Sequence, residues 1–393
     1  MPHVPVLVAL TSLLAGAALV APPPPPVEAE AAARRQQIEA LQKAVQSGKA
    51  DVESQRKLGD LLLEEHFALE TPAAGAPQAQ AAAQQYRTVL VAQPAYAKVD
   101  EVLLSLGEAL RQAGDAKEAM AAWRRLLERF PKSKAAADAW LGIARLVHEG
   151  SREPSRLAEA QEALERALKL KTTEPIAAHA LLAKVDDELG EGAGALEHLA
   201  VTVDLAEKDE PETAQEARKE FVAVYARAGD PLKAIAEIKK VGGTQHSWDM
   251  LAALANAYHE LGRTADSTRL FQQLMKERPA SPDVPLFRCR LVGYLMRGSD
   301  KKAILEAARE LAGSIRKVEA EGDFTREADR RSIAEARKKS DGMLHNLATT
   351  WHEAAQGSGD PADVTDAEQM CSLYLKLFPE DPPSDLRRCS EGY

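Results

Sequence analysis

The feature that most constrains the fold is a fixed alternation of small and bulky side chains between residues 103 and 131. Leu103, Ser105, Leu106, Gly107 and Leu110 are followed by Gly114, Ala119, Trp123 and Pro131. Gly107 precedes Ala119 by twelve residues, Ala119 precedes Trp123 by four, and Trp123 precedes Pro131 by eight. Each interval has a physical cause. Gly107 and Ala119 are small where two antiparallel helices must cross. Gly114 belongs in the turn, where a left-handed backbone costs glycine nothing. Trp123 is large enough to fill the space between one hairpin and the next. Pro131 ends the second helix because it cannot donate the helical hydrogen bond.

The same intervals recur along the chain. Leu254, Ala255, Tyr258, Gly262, Ser267, Phe271 and Pro279 repeat them closely, with serine replacing the small alanine. Looser copies run through Leu182, Ala183, Gly190, Ala195 and Leu199; through Val222, Tyr225, Gly229, Ala234 and Ile238; and through Leu291, Tyr294, Gly298 and Ala303. Three further copies are expected to carry insertions in the turn between their helices. Leu58, Gly59 and Leu62 pair with Ala82 and Tyr86 across 71–81, and Leu141 and Gly142 pair with Ala160, Leu164 and Ala167 across 149–155. Leu347, Ala348 and Trp351 pair with Ala367 and Cys371 across 356–365. Residues 29–47 read as an amphipathic helix with Ile38, Leu41 and Val45 on one side, placed to cap the array. The charged stretch 312–340 is expected to hold one extended or extra helix.

These intervals resemble the tetratricopeptide-repeat family over most of the chain. The resemblance implies an all-α fold, a right-handed α-solenoid of about eight helical hairpins. Its first helices would line a concave groove that holds a segment of another protein. Composition agrees with that class: alanine is abundant, only 5% of residues are aromatic, 45% are hydrophobic and 28% charged. Such a balance excludes a polytopic membrane protein and wholesale disorder. On the family's geometry, the groove would present Glu108, Arg111, Lys184, Lys219, Arg227, Asn256, His259 and Arg288. Both charge signs occur, so it is no uniform ion trap. The family's best-known clamp holds a terminal carboxylate with spaced lysines and asparagines. Only Asn256 fits it, with no lysine correctly placed, so carboxylate capture is not expected.

Catalytic signals are poor, and no enzyme activity and no cofactor is expected. His148-Glu149 and His352-Glu353 begin like a zinc-protease motif but lack the second histidine. Gly190, Gly192 and Gly194 lack the last glycine of a dinucleotide loop and fall at a hairpin turn. The nine histidines are scattered, with no pair one helical turn apart for a metal. The basic run from Arg326 to Lys339 is interleaved with acids and reads as a solvated helix face. A formal charge of −10 disfavours nucleic-acid binding.

The terminal segments carry the compartment argument. Residues 4–21 are almost continuously apolar, as in a secretory signal, with cleavage expected near Ala29. At ~1.5 Å per residue such a run could also remain as a single-span inner-membrane anchor. Pro22 to Pro26 form a stiff polyproline linker. The descents Phe130-Pro131-Lys132-Ser133 and Phe378-Pro379 resemble those of bacterial cell-envelope tetratricopeptide proteins, such as the Tol-Pal coordinator, the outer-membrane assembly lipoprotein and gliding-motility components. Cys371 takes the inward position of Trp123 and Phe271, and a terminal helix would bring Cys389 near it. In an oxidising compartment the two would form a disulfide pinning the cap; the alternative is two reduced, buried cysteines. Cys289 has no evident mate. The expected organisation is a signal or anchor with linker at 1–29, a capping helix at 30–50 and the repeat array with its C-terminal cap at 51–393. The expected role is an exported, periplasmic or envelope-associated adaptor binding a protein partner; the alternatives are a structural part of an envelope motility, secretion or assembly machine, and an enzyme with an unrecognised site.

Overall fold

Alanine-rich sequence, interrupted at intervals by glycine, proline and aspartate, favours helices of limited length joined by short turns. The computed structural model describes residues 26–69, 72–321, 324–380 and 386–387, and among them every regular element is an α-helix. The apolar run 4–21 and Cys389 lie outside the described residues. The chain divides into two compact units, Met1–Ala178 and His179–Tyr393.

In the first unit, α1 (Pro26–Gln46) precedes three antiparallel hairpins. These are α2 (Val52–Phe67) with α3 (Pro72–Ala92), α4 (Val99–Gln112) with α5 (Ala116–Arg129), and α6 (Ala135–Gly150) with α7 (Pro154–Lys169). Side-chain caps start several helices. The Asp51 carboxylate accepts from the Ser54 amide at 2.8 Å, and that of Asp115 from the Glu118 amide at 3.2 Å. At the α5–α6 descent, Ser133 Oγ accepts from the Ala135 amide at 3.0 Å and donates to Asp100 of α4 at 2.5 Å. One serine thereby starts a helix and ties it to the preceding hairpin.

The second unit holds α8 (Pro175–Leu189, its first turn in the first unit), α9 (Gly192–Ala206), α10 (Pro211–Ala228), α11 (Ala234–Glu260), α12 (Thr264–Glu277), α13 (Val284–Leu295), α14 (Lys301–Glu321), α15 (Glu327–Ser358) and α16 (Pro361–Leu377). The long α11 is two helices joined at Gly243, whose φ of +56° and ψ of −156° are non-helical. Its first part closes the hairpin begun by α10; its second part opens the hairpin completed by α12. With α8–α9, α13–α14 and α15–α16, this gives five hairpins here and eight in the described chain.

The small-bulky alternation acts as expected. Trp123 is 1% exposed, and a Cβ on Gly107 would meet its ring at 2.2 Å, one on Gly142 at 2.6 Å. The indole thus lies against both its own hairpin and the next. Tyr86 is similarly seated, with its ring 2.8 Å from where a Gly59 Cβ would sit and its hydroxyl donating to Asp60 at 2.8 Å. Ala119, Ala160, Ala195, Ala367, Leu164 and Phe271 are all fully buried.

Turn geometry repeats as well. Gly114, Gly190 and Gly262 have φ of +83°, +81° and +76°. Each sits between the same pair of backbone bonds, Gly114 N–H to Arg111 O with Asp115 N–H to Leu110 O in the first case. This is the double bond pattern that closes a helix through a left-handed residue. Gly229 differs: its φ is −78°, and a Cβ there would strike the Tyr225 ring at 2.4 Å. Close approach, not handedness, requires glycine at that turn.

Two expectations about linking segments need correction. Residues 72–81 are not a turn insertion but the start of α3, in which Ala79, Ala82 and Ala83 are buried. Alanine's propensity and close packing on α2 outweigh Pro77, which lies inside the helix and removes one backbone hydrogen bond. The expected insertions at 149–155 and 356–365 shrink to residues 151–153 and 359–360, because the flanking helices extend into them. The region 312–340 takes the extended form of its expectation: among the described residues it is shared between the end of α14 and the start of the 32-residue α15, with no separate helix. Its charged face is laced by the pairs Arg337–Glu319 and Lys339–Glu335 at 2.5 Å each.

Candidate interaction surface

The expected groove residues fall into a tied group and an open group. On α4, Arg111 donates to Glu108 at 2.8 Å and to Glu149 at 2.8 Å, while Gln112 donates to Glu108 at 2.7 Å. Burial alone would raise the Glu108 carboxyl, but the bonds and charge of Arg111, helped by Gln112, outweigh it and hold the group below its ordinary value. Arg227 makes two 2.8 Å bonds to Asp187, which joins α10 to α8. Lys219 is exposed and pairs with Glu216 at 2.9 Å. Lys184 is exposed and lies in the field of Glu220, whose carboxyl is raised first by burial and then by Glu216. Apart from Lys184, these residues make ion pairs on the helix surfaces.

Asn256, His259 and Arg288 behave differently. Asn256 Oδ1, His259 Nδ1 and Arg288 Nε are buried atoms without a hydrogen-bond partner among the described residues. Asn256 and His259 are three residues apart on the second part of α11, so they share a face. The His259 ring stacks on Tyr294 of α13 with centroids 4.1 Å apart, and Arg297 approaches its Nε2 at 3.3 Å. Burial, then the cations Arg297 and Arg290, lowers the His259 pKa and favours its neutral ring. Arg288 pairs through its Nη1 with Glu310 of α14, which leaves Nε uncommitted. Among the described residues of the second unit the remaining such atom is the Tyr258 hydroxyl, beside Asn256 and His259 in sequence, on a ring whose centroid lies 4.4 Å from the Arg263 guanidinium. Burial pushes that hydroxyl's pKa up to about 12, so it is protonated and able to donate.

Sequence reasoning named these groove positions from the repeat register, but it placed Tyr294 only as a repeat position and missed Arg297; these two fix the His259 ring. It also missed His179 and His198, nineteen residues apart, whose Nδ1 atoms meet at 3.1 Å across α8 and α9. Only the hairpin turn brings them together. Among the described residues no group of three or more His, Cys, Asp or Glu is arranged to hold a metal. His148 and His352 are buried within α6 and α15. Cys371 is fully buried, whereas its expected mate Cys389 lies outside the described residues. Cys289 is buried as a free thiol, with its Sγ 2.9 Å from Ser340 Oγ.

Comparison with known proteins bears on this architecture. Residues 101–133 match the family model described as a tetratricopeptide repeat. No curated protein resembles the chain closely enough to count as a match. Among solved structures, the chain is similar to YrrB, described as a TPR protein with an unusual peptide-binding site, at 19% identity and a TM-score of 0.36, over 50% of this chain and 94% of that one. It is also similar to a tetratricopeptide repeat protein from Parabacteroides merdae, at 14% identity and a TM-score of 0.35, over 77% and 98% of the two chains. The C-terminal part of a TPR repeat-containing protein from Cytophaga hutchinsonii aligns at 14% identity and a TM-score of 0.33, over 72% and 98%. The span from 101 to 133 holds most of α4, all of α5 and the serine-capped descent, so the residues that set the intervals are those the model matches. Residues 101–133 are therefore identified as a tetratricopeptide repeat, in a chain whose described residues form eight helical hairpins.

Proposed function

We propose that this chain is a non-enzymatic adaptor that binds an extended or helical segment of a partner protein against α11 and α13. One observation carries the reading. Among the described residues of the second unit, the buried, unpartnered polar atoms belong to Asn256, Tyr258, His259 and Arg288. A buried polar atom left unpaired costs roughly 1–3 kcal/mol. A backbone amide and carbonyl from a bound segment would satisfy Asn256 Oδ1 and Arg288 Nε, which turns that cost into binding selectivity.

The setting we propose is the bacterial cell envelope, with residues 1–29 as signal or anchor, residues 30–50 as cap, and residues 51–393 as the array. The apolar run 4–21 is the feature that supports that setting; in an oxidising compartment Cys371 and Cys389 would form a disulfide. The same features fit a structural part of a larger envelope machine; a partner bound in constant stoichiometry would favour it over a recruiter.

The test is site-specific photocrosslinking in intact cells. A photoreactive residue at 256 or 288 should trap one protein, while the same residue at the exposed Glu162 should not. A synthetic peptide from the trapped segment should bind the purified chain, and Asn256→Ala and Arg288→Ala should each weaken it by about 1–3 kcal/mol. Equal crosslinking at 256, 288 and 162, or peptide affinity indifferent to both substitutions, would overturn the proposal.

A further inference from the structure

The hairpin of α8 and α9 places two imidazoles in a relation that neither the repeat intervals nor the adaptor reading requires. His179 Nδ1 lies 3.1 Å from His198 Nδ1, with the ring centroids 5.2 Å apart and the planes inclined by 36°. Each side chain is half-buried, so the ring edges are held by the helices yet reachable from solvent. Burial, then the charge of His198, lowers the His179 pKa and keeps that ring neutral around neutral pH, while Glu197 acts in the opposite direction. On the far side of the second ring, His198 Nε2 faces the Asp186 carboxylate at 3.9 Å. That carboxylate is 4% exposed and sits so close to α9 that a Cβ on Gly194 would lie 2.7 Å from its Oδ2.

We infer that His179 and His198 form a two-nitrogen chelate for a divalent first-row transition ion, of which Zn²⁺ is the simplest probe. With metal–nitrogen bonds of about 2.0–2.1 Å, a 3.1 Å separation corresponds to an N–metal–N angle of about 100°. That value lies between the octahedral and tetrahedral angles. The same geometry sets the centroids about 4.8 Å apart, so the present 5.2 Å needs only a small rotation of each ring. In the structure one Nδ1–H donates to the other Nδ1. To bind the ion, the donor ring moves its proton from Nδ1 to Nε2, which leaves both Nδ1 lone pairs available with no net change in bound protons. The Nε2–H of His198 then points toward Asp186, the buried carboxylate that orients and strengthens a histidine ligand in metal sites generally. Imidazole selects Zn²⁺, Ni²⁺ and Cu²⁺ over Mg²⁺ and Ca²⁺. The chain supplies two ligands here, and water fills the other positions. This inference is independent of the adaptor surface, which lies on other helices.

The experiment is calorimetric titration of the untagged full chain with Zn²⁺, and separately with Mg²⁺. Saturable Zn²⁺ binding, absent for Mg²⁺, is expected; His179→Gln and His198→Gln should each weaken it at least tenfold, while His246→Gln leaves it unchanged. Zn²⁺ binding of the same strength in the double variant overturns the inference, as does no Zn²⁺ binding to the natural chain. A second readout needs no substitution. Diethyl pyrocarbonate labelling followed by mass spectrometry should show Zn²⁺ protecting His179 and His198 but not His246. Equal labelling with and without Zn²⁺ overturns the chelate even if the variants fold poorly.

Discussion

Single residues decide how closely two helices can approach. Trp123 is held by a 3.2 Å bond from its Nε1 to the Leu104 carbonyl and by glycines on two different helices. Trp123→Ala should lower the unfolding free energy by about 3–5 kcal/mol, from lost transfer energy and the cavity left behind, measured by urea denaturation. Gly107→Ala should cost about 1–3 kcal/mol by the same measurement, because the new methyl would meet a rigid ring at 2.2 Å. Charge acts at this scale too. The Glu108 carboxyl is held below its ordinary value of 4.5, so its stabilising effect is complete above that pH and is lost as the pH falls through the lower folded value. Glu108→Gln should therefore lower the urea midpoint at pH 7, and the two proteins should converge as the pH falls below 4.5 and through the lowered folded value.

Helices and turns show where local rules hold and where packing overrides them. Gly114, Gly190 and Gly262 were legible as turn residues because a left-handed position leaves a clear mark in sequence. Gly243 was not legible. It lies between Ile238 and Leu254, which the repeat intervals assign to different hairpins, but those intervals do not single it out as the residue that separates them. Its φ and ψ lie in a region open only to glycine, so Gly243→Ala should destabilise by about 1–3 kcal/mol in thermal or urea unfolding. The neighbouring Gly242 would give a different failure, since a Cβ there meets Met250 Sδ at 2.7 Å and the Ser247 amide nitrogen at 2.8 Å. Residues 72–81 were misread in the opposite sense. Their prolines suggested a loop, but buried alanines packed on α2 keep the segment helical.

At the scale of the whole chain, stability in stacked hairpins is a sum of local interfaces, each made by residues near in sequence. That is why so much was readable. Small residues at crossings, a bulky residue four positions after the small one, and glycine or proline at the ends follow from steric rules that act over a few turns of helix. From these the sequence by itself determined the all-helical class, the number of hairpins and the buried positions Trp123, Tyr258, Phe271 and Cys371. It could also propose which first-helix residues would be available to a partner. Tertiary structure decided which of them are consumed in ion pairs, as Glu108, Arg111 and Arg227 are, and which keep uncommitted buried atoms, as Asn256, His259 and Arg288 do. It alone set His179 against His198. The physical reason is one of range: helix length and crossing depend on side-chain size at fixed local spacing, whereas hydrogen-bond commitment depends on which groups from separate helices reach the same few ångströms.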